Sequence, residues 1–148
     1  MDEAMRARSD AEGSDAGGDD ALARLTARLI AFRDARDWKQ FHSLKNLLIS
    51  LNLEAAEALE LCQWIDEARF EAMARPGGER HEALRMECAD VLLYLLLIAE
   101  AAGFDLAQAA EEKIALNEQR YPAEKARGRA DKYTAYATTP NPRRNEKT

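Results

Sequence analysis

Apolar residues return at intervals of three and four through most of this chain, the period of an amphipathic α-helix rather than the alternation of a strand. Leu22, Leu25, Leu29 and Phe32 set out a first helix that starts near Asp20, a suitable N-cap, and runs out near Arg36. A turn from Asp34 to His42 then carries Trp38, Phe41 and His42. Ser43 caps a second helix, whose stripe is Leu44, Leu47, Leu48, Leu51, Ala55, Ala58, Leu59, Cys62 and Ile65. That helix is expected to pass Trp64, with room for a bend there, and to end before Arg75, Pro76, Gly77 and Gly78. The third runs from about Glu79 to Ala102, with Gly103 closing it. Being apolar all round from Val91 to Ile98, it is expected to be the most buried. Asp105 opens a fourth, which stops at Tyr121 and Pro122.

Four helices with short links predict an all-α bundle, and 148 residues suit one domain, here residues 21–136. The acidic, glycine- and serine-rich residues 1–20 have almost nothing to bury and are expected to be disordered, as are residues 137–148. The stretch from Ala123 to Tyr136 reads as basic and irregular.

Two acidic pairs break the pattern. Glu54 and Glu57 lie on the second helix and Glu87 and Asp90 on the third, each pair with i, i+3 spacing. Such residues sit about 60° apart and project from one helix face. One pair of this kind is ordinarily a solvated, salt-bridged surface. Here Leu, Ala, Met, Cys and Val flank both pairs, and Asp90 is a poor residue for a helix interior. Ionised carboxylates in apolar surroundings need a partner, and a cation is the simplest one for four of them. Glu60 drifts further round the helix and is expected to be solvated. If the second and third helices pack antiparallel, the two pairs converge.

Composition narrows the function. The net charge of −6, with both signs interspersed, offers no basic block for nucleic acid. The longest apolar run, Val91 to Ala99, is far short of the roughly 20 residues that span a bilayer. Residues 1–20 contain no apolar core of a secretory signal. Cys62 and Cys88 have no zinc-motif or CxxC spacing and read as reduced core thiols of a cytoplasmic protein.

An all-carboxylate set selects a hard cation, Mg²⁺ or Mn²⁺, over zinc. A di-iron bundle needs Glu-x-x-His, but Lys39 and Gly78 stand three residues before His42 and His81. Mg²⁺ is commonly bound together with substrate phosphates, so a phosphorylated substrate is the natural third party. Lys113 and Asn117 lie one turn apart on the fourth helix, within the reach of phosphate or sugar oxygens. Trp38, Trp64, Tyr94 and Tyr121 offer stacking faces for a base, and His42 a group for its edge. Taken singly, such aromatics are more often core residues, and a lone lysine is usually solvated.

These blocks together carry a resemblance. Phe32 and Arg33 with Asp37, Trp38, Gln40, Phe41 and His42; Asn46 and Leu47; Glu54 and Glu57; Gln63 and Trp64; Glu87, Asp90 and Tyr94; Lys113 and Asn117; and Gln119 to Pro122 look like the MazG-like all-α nucleoside triphosphate pyrophosphohydrolases. The dCTP pyrophosphatase branch is the nearest, and Arg127, Gly128, Lys132, Tyr133 and Thr134 resemble its end. The resemblance covers residues 30–134. It implies Mg²⁺-dependent cleavage of a nucleoside triphosphate to the monophosphate and pyrophosphate, with Glu54, Glu57, Glu87 and Asp90 holding the metal. It further implies a nucleotide pocket of Trp38, His42, Trp64, Tyr94 and Asn117, with Lys113 on phosphate, in a homotetramer or dimer whose pockets are completed across subunits. The general base stays open among the four carboxylates. Asn52, Ala55 and Ala56 stand where the branch often has glycines, which bears on pocket shape. Two alternatives are a related fold acting on another or damaged nucleotide, and a helical interaction module without catalysis.

Overall fold

A computed structural model describes residues 16–132 and Tyr136, with side chains from Ala21 onward. Every regular element among the described residues is helical, as the periodicity requires: α1 Ala16–Asp34, a 3₁₀ helix Trp38–Phe41, α2 Leu44–Glu60, α3 Glu67–Ala74, α4 His81–Ala102, α5 Leu106–Arg120 and α6 Ala123–Ala126. Of the segments expected to be disordered, residues 1–15 and 137–148 lie outside the described residues. Residues 16–20 open α1, so Asp20 sits inside that helix rather than at its cap.

The residues fall into two compact units that divide after Leu106. In the first, α4 packs most extensively on α2 and also meets α1 and α3. Leu47 of α2 and Leu97 and Ile98 of α4 form the buried centre, with Leu29, Leu51 and Tyr94 packed around them. The expected central helix is therefore central, although burial is complete only over Leu96 to Ala99, while Val91 to Leu95 stay half-buried. Leu47 meets the later part of α4, whereas Glu54 meets the earlier residues Glu87 and Asp90. Advancing along α2 thus means retreating along α4, and the two run antiparallel.

The second helix is not continuous. It stops at Glu60, and α3 begins anew at Glu67. Asp66 is extended and its carboxylate accepts from the Arg69 backbone N–H at 3.0 Å, which makes it an N-cap and bars an unbroken helix. Trp64 in the intervening turn has φ 64°, a left-handed conformation uncommon for an aromatic residue. Cys62 and Ile65 continue the apolar stripe across the break, which is why periodicity runs through it. Gly78 has no room for a side chain, because a Cβ there would enter the carbonyl of Met73. That carbonyl accepts from the Arg80 N–H at 2.9 Å and returns the chain into α4.

The second unit holds α5 and α6. Pro122 ends α5, and the short α6 occupies part of the stretch expected to be irregular. The Tyr121 and Tyr136 rings meet edge-on at 5.9 Å, with the Arg129 guanidinium 5.6 Å from the Tyr136 centroid.

Candidate active site

The turn after α1 is held by its own side chains. Asp37 takes a left-handed φ of 54°, which aspartate tolerates better than most residues. Gln40 Nε2 donates to the Asp37 carbonyl at 2.9 Å and to its carboxylate at 2.8 Å. Asn46 Nδ2 donates to the Phe41 carbonyl at 3.0 Å, and Ser43 Oγ accepts from the Asn46 N–H at 3.2 Å, so the turn is tied to the start of α2. The Trp38 ring packs edge-on against Phe32 at 5.8 Å, and the Arg36 guanidinium lies 3.6 Å from the Phe32 centroid. These contacts fix Trp38 and His42 over α4.

Beneath them is a cavity of about 140 Å³. Trp38, His42, Tyr94 and Asp90 line it together with Leu29, Phe32, Arg33, Leu93 and Leu97. Three aromatic or imidazole residues chosen from the sequence therefore share one cavity with one of the acids. Arg33, to which the sequence blocks give no role, is the most buried charged residue among the described residues, with 3% exposure. Its signal was readable. It follows Leu29 by four residues, which puts an arginine on the apolar stripe of α1. Asp34 accepts from Nε at 2.7 Å and Glu100 of α4 from Nη1 at 2.9 Å, and these carboxylates hold the guanidinium firmly charged.

The antiparallel α2 and α4 bring Glu54, Glu87 and Asp90 together. One carboxylate oxygen of each lies within 4.8 Å of the other two, and all three residues are half-buried. Oxygens on opposite sides of a Mg²⁺ ion are about 4 Å apart, so one hard cation fits this set with a small turn of a side chain. Glu57 is exposed and outside the triad. Burial pushes the Glu54 carboxyl above its usual range, and the charges of Glu57, Asp90 and Glu87 push it further. A half-buried carboxyl whose ionisation is disfavoured by burial and by three neighbouring acids fits a divalent cation better than a solvated face.

This electrostatic arrangement has a pH signature. Glu54 is raised in the folded chain, so its contribution to stability is present below the ordinary glutamate pKa and is lost as pH rises through the raised value. Glu54→Gln keeps the neutral shape at every pH. In the absence of divalent cations, thermal unfolding is expected to show the variant more stable than the parent near neutral pH, with the gap closing near about pH 4. A gap of the same size at both pH values would contradict the reading.

The remaining candidates fall elsewhere. Trp64 is 94% exposed on its turn and does not line the cavity. Lys113, Asn117 and Tyr121 belong to the second unit, where Lys113 is exposed, Asn117 half-buried, and the Asn117 carbonyl accepts from the Tyr121 N–H at 2.8 Å. The cysteines are not core thiols: Cys88 is exposed and Cys62 half-buried, and both are free. Among the described residues no helix is long and apolar enough to cross a membrane.

Known proteins share this arrangement of sequence. Residues 49–135 match the model of the MazG-like family. The chain is 45% identical over 113 residues to dCTP pyrophosphatase 1 of Mus musculus, and 41% identical over the same length to dCTP pyrophosphatase 1 of Homo sapiens. Each alignment covers 76% of this chain and 64% of the mammalian protein, so the chain matches somewhat less than two thirds of these relatives. A crystal structure of a pyrophosphatase from Archaeoglobus fulgidus aligns with a TM-score of 0.63 at 36% identity, covering 69% of this chain and 93% of that one.

Proposed function

The chain belongs to the MazG-like family, and on that premise we propose that it hydrolyses dCTP between the α and β phosphates, with water supplying the oxygen, to give dCMP and pyrophosphate. The observation that carries this reading is the double position of Asp90, which belongs to the carboxylate triad and also lines the aromatic cavity. A base held in the cavity places its phosphates beside the acids. The names of the mammalian relatives support dCTP as the substrate. The cavity volume supports a pyrimidine, since an apolar cavity of about 150 Å³ is large enough to take up benzene, a single six-membered ring.

Glu54, Glu87 and Asp90 would hold Mg²⁺ or Mn²⁺. When bound, the cation neutralises phosphate charge and helps to activate water. The chain's own residues do the rest. Trp38 and Tyr94 offer ring faces to the base and His42 its edge, which fixes the phosphates relative to the acids. Phosphoryl chemistry depends on such positioning. Glu57, left outside the triad, is the carboxylate free to take the proton of the attacking water. Lys113, Asn117 and Tyr121 are assigned to phosphate and sugar by the family resemblance alone. Such a reaction suits a role in cleansing or balancing the nucleotide pool. The test is pyrophosphate release across a panel of nucleoside triphosphates, with and without Mg²⁺. Release confined to other triphosphates would overturn dCTP but not the reaction class, whereas no release and no metal-linked stabilisation would leave an interaction module.

Self-association belongs to the same proposal. Leu44, Leu48, Ile49, Leu53 and Leu59 are all at least 43% exposed along α2, and Trp64 is almost fully so. An apolar face of this length supports burial against further copies. A homotetramer, or at least a dimer, would also give Trp64 a place in a neighbour's nucleotide pocket. Light scattering at micromolar concentration is expected to return a multiple of the 16.6 kDa chain mass. The monomer mass would contradict self-association.

A further inference from the structure

The Arg33 guanidinium has three nitrogens, and the fold uses two. Nε and Nη1 are bound to Asp34 and Glu100, while Nη2 is buried with no hydrogen-bond partner. A buried donor left unmade is costly, and native chains rarely keep one without a use. Arg33 also lines the cavity that holds Trp38, His42 and Tyr94. His42, which also lines the cavity, likewise has a buried, unpartnered Nδ1. Two buried, unpartnered nitrogens on side chains that line this one small cavity, beside the Asp90 carboxylate, call for a ligand with polar edge atoms.

The charges decide what kind of atom Nη2 serves. Asp34 and Glu100 already outweigh the single positive charge of Arg33, so a phosphate brought to the remaining nitrogen would meet a net negative group. A neutral acceptor meets no such repulsion. We propose that Arg33 is a specificity-determining residue whose Nη2 donates a hydrogen bond to a ring carbonyl oxygen of the pyrimidine, the 2-keto group common to cytosine, uracil and thymine. The inference rests on the cavity being the base site. Arginine is suited to the task because its rigid fork can be fixed from two sides while a third donor stays presented. The carboxylate pair holds the donor in place before the base arrives, so little ordering remains to oppose binding.

The test uses two variants of the full chain. Arg33→Lys retains a cation for Glu100 but has one nitrogen where three are needed. Arg33→Met combined with Glu100→Gln removes the donor without leaving Glu100 as an unpaired, half-buried charge. The quantity measured is kcat/KM for dCTP and for dTTP, each divided by that for deoxyribose 5′-triphosphate, which has no base. Both ratios are expected to fall about 10- to 100-fold, the range for losing a hydrogen bond from a charged donor, with the change in KM. A parallel fall with the base-free substrate, leaving the ratios unchanged, would assign Arg33 a structural role and overturn the proposal. Trp38→Ala separates the two levels of the argument. If that variant lowers the ratios and the Arg33 variants do not, the cavity holds the base but Arg33 does not read it. If none lowers them, the base lies elsewhere and the inference falls with the cavity.

Discussion

Glu87→Gln and Asp90→Asn are each expected to lower turnover by about 100-fold or more, the usual consequence of removing a group aimed at charge in the transition state. Each replaces a carboxylate oxygen of the triad by an amide while nearly conserving shape. Stability is expected to move the other way. The metal-free cluster is crowded enough to raise Glu54, so removing one charge relieves repulsion. Metal-free melting should hold or rise, by no more than about 1 kcal/mol, as is common when a functional site is relaxed. The rise in melting temperature caused by Mg²⁺ should shrink in both variants, because a cation bound only to the folded chain stabilises it by mass action. Glu57→Gln separates the roles: turnover falls while the Mg²⁺-linked rise is retained. A solvated acidic face gives the opposite result for all three variants, with activity near the parent's and no metal-linked shift to lose.

Purine triphosphates are expected to be poorer substrates than dCTP by about two orders of magnitude in kcat/KM, a size typical of a polar edge contact that a wrong base leaves unpaired. The cavity of about 140 Å³ is close in size to an apolar cavity of about 150 Å³ that takes up benzene, and Phe32, Trp38, Leu93 and Leu97 line it. A fused bicyclic base exceeds this space and has to push Phe32 and Trp38, each nearly half exposed, outward. Trp38 is braced by Phe32 and by a turn with two hydrogen bonds from Gln40, so it does not swing aside freely. Steady-state kinetics with dATP and dGTP against dCTP measures the ratio. Equal turnover of purines would remove the cavity as base site while leaving the acid cluster untouched.

The acids were legible because helical spacing and apolar neighbours are local properties. Glu54, Glu87 and Asp90 needed only antiparallel packing to meet. Trp38, His42 and Tyr94 were legible as chemistry, and the fold gathers them because the turn at Asp37 and the cap at Ser43 bring the end of α1 over α4. The place of Arg33 on the apolar stripe of α1 is a local signal, but its meaning depends on Glu100, 67 positions away, which no local pattern connects to it. The break after Glu60 was hidden by an apolar stripe that continues through Cys62 and Ile65, although Asp66 carried the cap signal in its type and position. Trp64 lines no part of the cavity. The proposed self-association would give it a place in a neighbouring subunit's pocket, which lies beyond any reading of one chain's helical periods.

The central claim is a reaction at one bond, and identifying the products tests it most directly. Purified protein with dCTP and Mg²⁺, followed by ³¹P nuclear magnetic resonance, is expected to yield dCMP and pyrophosphate in equal amounts, with no dCDP or orthophosphate and no reaction when chelator replaces Mg²⁺. Accumulation of dCDP with orthophosphate, or dCTP left intact by protein that binds Mg²⁺, would contradict the account.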